Sequence, residues 1–94
     1  MASVYVIFSK KLDRFYTGSC NDLDFRLDQH FKKDFSTSFT AKSNDWELFL
    51  SIDNLNYEQA RLIETHIKKM KSKVYIQNLK KYPEVVQKLI AKYS

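Results

Sequence analysis

Ser3-Val4-Tyr5-Val6-Ile7-Phe8, a short polar interval, and then Phe15-Tyr16-Thr17-Gly18 are the runs whose reading decides the fold. Val4 to Phe8 is almost entirely β-branched or aromatic, which fits a strand buried on both faces better than a half-exposed one. Phe15 to Thr17 has the same chemistry and ends at Gly18, so the two runs form an antiparallel hairpin. The interval between them carries no Asn-Gly or Asp-Gly pair, which leaves the turn type open. Gly18 is the single glycine of the chain. At the end of a strand it allows either a positive φ angle or a close backbone approach by a ligand.

Outward from the hairpin, Asn21 or Asp22 can cap a helix running to about Lys33, with Leu23, Leu27 and Phe31 at helical spacing. Asp22, Arg26 and His30 repeat at the same interval on a neighbouring stripe, so Arg26 and His30 can face one pocket. Asp34 to Asp45 reads as a loop of hydroxyls and amides anchored by Phe39. Trp46 to Asp53 then alternates, with Trp46, Leu48, Leu50 and Ile52 on the core side, as expected of a third strand. Asn56 followed by Gln59 has the form of a capping box, and the helix behind it offers Ala60, Ile63, Ile67 and Met70 as its buried stripe. Glu64 lies on the shoulder of that stripe and borders a cleft. Ser72 interrupts this helix, Val74 to Lys81 forms a short one, and Pro83 opens a last one carrying Val86, Leu89, Ile90 and Tyr93. The order β-β-α-β-α-α-α predicts an α+β fold: a small three-stranded, mostly antiparallel sheet flanked by helices.

A chain of 94 residues is expected to be one domain spanning residues 1–94. Its hydrophobic share of 44% and aromatic share of 15% supply a core and argue against disorder. Cys20 has no partner for an internal disulfide, and no basic-plus-apolar leader precedes Val4; both favour a cytoplasmic setting. No apolar run approaches the roughly 20 residues needed to span a bilayer, so a soluble protein is expected. The formal charge is +5, and no acidic residue falls between Thr65 and Pro83, where Lys68, Lys69, Lys71, Lys73, Lys80 and Lys81 cluster. Such a patch suits a polyanion such as nucleic acid, or is a solvated helix face; charge alone does not choose between them.

Taken together these residues resemble the GIY-YIG nuclease superfamily, in particular its small single-domain bacterial members. Ser3-Val4-Tyr5 stands at the first signature and Tyr16-Thr17-Gly18 at the second, with Arg26, His30 and Glu64 following in the expected order. The likeness extends to Asn44-Asp45-Trp46-Glu47 and to the Lys68-to-Lys73 tail of the glutamate helix. Ser3 replaces the first glycine, Val4 an isoleucine and Thr17 the second isoleucine, and only the first of these restricts the backbone. The larger family also carries an asparagine near its end; Asn78 stands at about that place and receives no role.

The resemblance implies a divalent-metal-dependent endonuclease acting on DNA, directed by structure rather than strongly by sequence. Tyr5 would accept or relay a proton, Arg26 would contact the phosphate, and Tyr16 and His30 would position water, tyrosine or phosphate. Glu64 would anchor one Mg²⁺ or Mn²⁺ ion, weakly held without substrate. Lys42, Lys69, Lys71 and Lys73, with hydroxyls of the Ser36–Thr40 loop, would hold the DNA backbone, and a protein partner would supply targeting that so small a domain lacks. Each residue also has an ordinary structural reading. The tyrosines can be strand aromatics, Arg26 can pair with Asp22, His30 can be a helix-surface or capping residue, and Glu64 with Lys68 is a standard pair one turn apart. Cys20 reads as a small buried residue, and His66 lies on a different side of its helix from Glu64. The alternative function is a catalytically impaired nucleic-acid-binding module, suggested by Ser3 and the lysines. A plain interaction domain is the third reading, and it requires that the tyrosines, Arg26 and Glu64 do not converge.

Overall fold

The computed structural model describes residues 1–23, 25 and 45–94. Strands β1 (Ala2–Ser9), β2 (Arg14–Cys20) and β3 (Glu47–Leu55) form one antiparallel sheet in the order β2-β1-β3. Its central strand is the apolar run, and it is buried on both faces as its composition demands. Val4 and Val6 face the larger core, whereas Tyr5 and Ile7 join Cys20 and Trp46 in a smaller cluster. Leu12, Tyr16 and Leu23 pack against that smaller cluster.

The hairpin turn closes with the Asp13 amide donating to the Lys10 carbonyl at 3.2 Å, and Asp13 has φ 52°. Asp45 holds this turn from outside: its carboxylate accepts from the Ser9 hydroxyl at 2.5 Å and the Lys11 amide at 2.8 Å. A long-range carboxylate thus supplies what a local Asn-Gly signature would have supplied.

The third strand departs from its simple alternation. Val6 pairs with Leu50 but Ile7 pairs with Leu48, so Phe49 is an extra residue in β3. This bulge turns Phe49 toward the larger core and leaves Leu48 43% exposed, correcting its expected place on the core side. A second irregularity lies between the Ala2–Leu55 and Val4–Ile52 pairs, where Asn54 has φ 62°. Ser3 lies opposite it, and its hydroxyl donates to Asp53 at 3.0 Å. Among the described residues positive φ occurs at Asp13, Asn54 and Lys71, not at Ser3. The serine in place of the first signature glycine therefore restricts nothing the strand needs.

Three helices, α1 (Tyr57–Met70), α2 (Lys73–Lys81) and α3 (Pro83–Lys92), complete the described fold. Ala60, Ile63 and Ile67 of α1 are fully buried, and Ile76, Leu79 and Leu89 from the other two helices are buried with them. Burying an isoleucine of this kind contributes about 1.5–3 kcal/mol, so α1 is the main anchor of the helical layer. Met70, expected in the buried stripe, is 45% exposed because the helix ends there and Lys71 turns left-handed at φ 48°. Half of the capping box forms: Asn56 accepts from the Gln59 amide at 2.7 Å, but the Gln59 side chain donates to the Ile90 carbonyl on α3 at 3.2 Å. Ser72 is the N-cap of α2, accepting from the Tyr75 amide at 3.1 Å. Most of the expected first helix, and the loop with Phe39, lie outside the described residues; at its start Asp22 accepts from the Phe25 amide at 3.0 Å. No helix among the described residues is long and apolar enough to cross a membrane.

Candidate active site

The site is built on the register of β1 and β2, in which Tyr5 lies directly across from Gly18. The phenol ring covers the glycine so closely that a Cβ there would lie 2.6 Å from Cζ and collide with the hydroxyl. Gly18 has no positive φ. It is needed for the space that Tyr5 occupies, not for backbone freedom. Tyr5 itself is buried, at 2% exposure.

One residue further along β2, the Ser19 hydroxyl donates to Glu64 Oε1 at 2.5 Å, joining the strand to α1. The other carboxylate oxygen of Glu64 receives Lys68 Nζ at 2.6 Å. Glu64 and Lys68 are one turn apart and each follows a buried isoleucine, which places both on the border of the helix's packed face. Lys68 Nζ also lies 6.0 Å from the centre of the Tyr16 ring. The Tyr5–Gly18 contact and the Ser19–Glu64 bond stand on consecutive residues of β2, whose side chains alternate between the faces of the sheet, and Lys68 beside the Tyr16 ring is what links them.

An open groove of about 450 Å³ runs beside them, between β2 and the junction of α1 with α2. Arg14, Lys68, Lys71 and Lys73 line it, alongside the rings of Phe15 and Tyr16. Lys73 pairs with Asp13 at 2.7 Å. The Lys73 hydrogen bond and charge, helped by Arg14, hold the Asp13 carboxyl below its ordinary value. Four cations against this one exposed carboxylate and the partly covered Glu64 leave the groove net positive.

The family model of the GIY-YIG catalytic domain matches residues 1–82. The chain belongs to the GIY-YIG family. It is accordingly a nuclease-type domain, and such a domain implies DNA as substrate. No curated protein and no solved structure matches the chain. The matched region ends at Tyr82, immediately before α3.

GIY-YIG nucleases are generally dependent on a divalent metal. Among the described residues no group of three or more His, Cys, Asp or Glu side chains could cage an ion. Mg²⁺ does not require such a cage, because it keeps several waters and commonly takes one or two carboxylates plus substrate phosphate oxygens. A single carboxylate, 20% exposed, steered by a hydroxyl and paired with a lysine that lines a basic groove, fits that kind of site.

Of the other GIY-YIG positions expected from sequence, Arg26, His30 and Lys42 lie outside the described residues. Lys71 and Lys73 line the groove, but Lys69 is not among its lining residues. Lys69 instead acts on His66, whose pKa is lowered by burial first and then by the charges of Lys92 and Lys69. His66 Nδ1 meets the Tyr93 hydroxyl at 3.0 Å, away from the carboxylate of Glu64. Asn78 uses its backbone carbonyl to accept from the Tyr82 amide at 2.8 Å and is half-buried. Ser19 and Arg14 were not legible as site residues. A small polar side chain on a strand gives no signal until the helix that faces it is placed.

Proposed function

We propose that this GIY-YIG domain is an endonuclease that hydrolyses DNA phosphodiester bonds with Mg²⁺ or Mn²⁺ and is directed by DNA structure. The observation that carries the proposal is Glu64, held by Ser19 and paired with Lys68, which lines a groove together with Arg14, Lys71 and Lys73. A carboxylate among cations suits a site that takes phosphate and metal together. It would be a poor choice for a surface that only holds a polyanion, because it repels phosphate unless a metal ion lies between them.

In this reading Arg14, Lys71 and Lys73 hold the strand through its non-bridging oxygens. Tyr5 takes or relays the proton of the attacking water, and its ring is fixed in place by the glycine beneath it. Tyr16 positions the water or the phosphate beside Lys68. Arg26 contacts the scissile phosphate and His30 orients the water or moves a proton, as the family pattern implies. Glu64 holds the metal ion, which when bound supplies a polarised phosphoryl oxygen and a more acidic water. As the water oxygen bonds to phosphorus the P–O bond to the departing alkoxide breaks, and that alkoxide takes a proton from solvent water. Such contacts carry no base sequence, so the DNA's branch or flap, or a protein partner, selects the site.

The test is cleavage of branched, flapped, single-stranded and duplex DNA in Mg²⁺ or Mn²⁺. Glu64→Gln, nearly isosteric, is expected to lower the rate at least about a hundredfold while the protein stays folded by its melting curve. Cleavage at the full rate in that variant overturns the assignment. The binding-module alternative drew on Ser3 and the lysines; Ser3 is accommodated in β1 by its hydrogen bond to Asp53, and salt-sensitive DNA binding with no cleavage of any of these substrates would favour that alternative.

A further inference from the structure

Lys68 occupies a singular position. Its ammonium lies 2.6 Å from Glu64 Oε2, while Oε1 is already engaged by Ser19 at 2.5 Å. Both oxygens of the proposed metal ligand are thus satisfied by groups of the chain itself, and one of those groups, Lys68, also lines the groove. We propose that Lys68 is the resident counter-cation of Glu64, displaced from the carboxylate when a divalent ion binds and transferred to a phosphate in the groove that it lines. The inference rests on Glu64 as the metal ligand and adds a regulator to that site.

Three features support it. Two cations cannot share Oε2 at contact distance without strong repulsion, so an ion entering there expels Nζ. Ser19 donates to the other oxygen and need not move, which keeps the carboxylate aimed through the exchange. Lys68 has somewhere to go: its side chain is 52% exposed on a flexible stem, it lines the groove, and it already lies beside the Tyr16 ring. Lys73, by comparison, is tied to Asp13 at the groove's other end. In this arrangement the free protein carries a neutralised carboxylate, and metal and DNA bind together, because the ion frees the lysine that the phosphate uses.

The consequence is an effect of opposite sign on two ligands. Lys68→Met keeps the stem and removes the charge. Titrating the metal alone as MnCl₂ into the DNA-free protein, and following paramagnetic broadening of the Gly18, Ser19 and Glu64 amides, should show Mn²⁺ binding about twofold tighter than in wild type. The same variant should bind a flapped DNA with non-hydrolysable linkages more weakly in saturating Mn²⁺, the condition that frees Lys68 from Glu64. Its slope of log affinity against log salt should be shallower by about 0.9. Lys88→Met on α3 removes the same charge far from the groove and serves as the control for long-range effects. Unchanged or weaker Mn²⁺ binding in Lys68→Met relative to that control overturns the proposal, as does unchanged DNA binding. Glu64→Gln separates this failure from that of the functional reading. If it abolishes Mn²⁺ binding while Lys68→Met matches the control, the counter-cation role alone falls; if it binds Mn²⁺ like wild type, the metal-ligand assignment falls with it.

Discussion

At Gly18 a methyl group would have to share space with the ring of Tyr5, its partner across the β1–β2 ladder. Tyr5 is buried against Ile7, Cys20 and Trp46 and has little room to retreat. Gly18→Ala is therefore expected to destabilise the protein by about 1–3 kcal/mol, the usual penalty for overpacking, although alanine is otherwise at least as good in a strand as glycine. Urea unfolding of the single variant and of Gly18→Ala in a Tyr5→Leu background measures it. The alanine should cost much less once the ring is gone, and an equal cost in both backgrounds would place the strain elsewhere. The glycine's importance was legible from its being the chain's only one; its reason was not. A strand-end glycine suggests backbone freedom or a ligand, and only the register shows that a side chain lies over it. Ser3 carries the converse lesson. A missing signature glycine suggests lost freedom, but Asp53, fifty residues away in sequence, gives the serine a hydrogen-bond partner.

The junction of α1 and α2 joins folding and groove chemistry at one residue. Lys71 ends α1 in the left-handed conformation, φ 48° and ψ 38°, where glycine is preferred because it has no Cβ to crowd the following carbonyl. The same lysine lines the groove. A lysine at a position suited to glycine trades some stability for a cation beside the proposed strand path. Lys71→Gly should accordingly raise stability by about 1 kcal/mol, seen as a higher melting temperature, while weakening DNA binding and reducing its salt slope by about 0.9. A variant that gains stability without losing DNA affinity would remove Lys71 from the interface. The sequence showed where this helix breaks, because Ser72 is a good N-cap, but it placed Met70 on the buried stripe. Periodicity extends a pattern to the last turn without registering that the backbone there is already leaving the helix.

Across the described residues, the order of strands and helices was legible because apolar spacing is local and repeats. The site was legible only in parts. Glu64 stood out by its place beside Ile63, yet its partner Ser19 lies 45 residues away in sequence and has no pattern of its own. One corner of the packing of the three described helices was also hidden, where aromatic and imidazole rings meet beside the aliphatic core. His66 of α1 lies 5.9 Å from the Tyr75 ring of α2 and 5.8 Å from the Tyr93 ring at the end of α3. Burial first, and then the neighbouring Tyr93, raise the Tyr75 pKa above its ordinary value near 10.0. Lys92 and Lys69 are the cations beside the same corner. The sign of the resulting pH dependence follows directly. In the unfolded chain Tyr75 loses its proton around pH 10 while the folded chain still holds it, so between the two pKa values folding is coupled to proton uptake. The contribution is fully present below the unfolded value and is lost as pH rises through the folded one. Tyr75→Phe has no proton to lose. Urea unfolding of both proteins from pH 8 to pH 11 should therefore give a constant stability difference up to about pH 9.5, and above it a steady shift against the wild type. Titration of the lysines and of the tyrosines that do not act on Tyr75 is common to both proteins and cancels in the comparison, and carrying Tyr93→Phe in both backgrounds removes the share that Tyr93 adds. A difference that stays constant to pH 11 would show that the phenol is as free to ionise in this corner as in the unfolded chain.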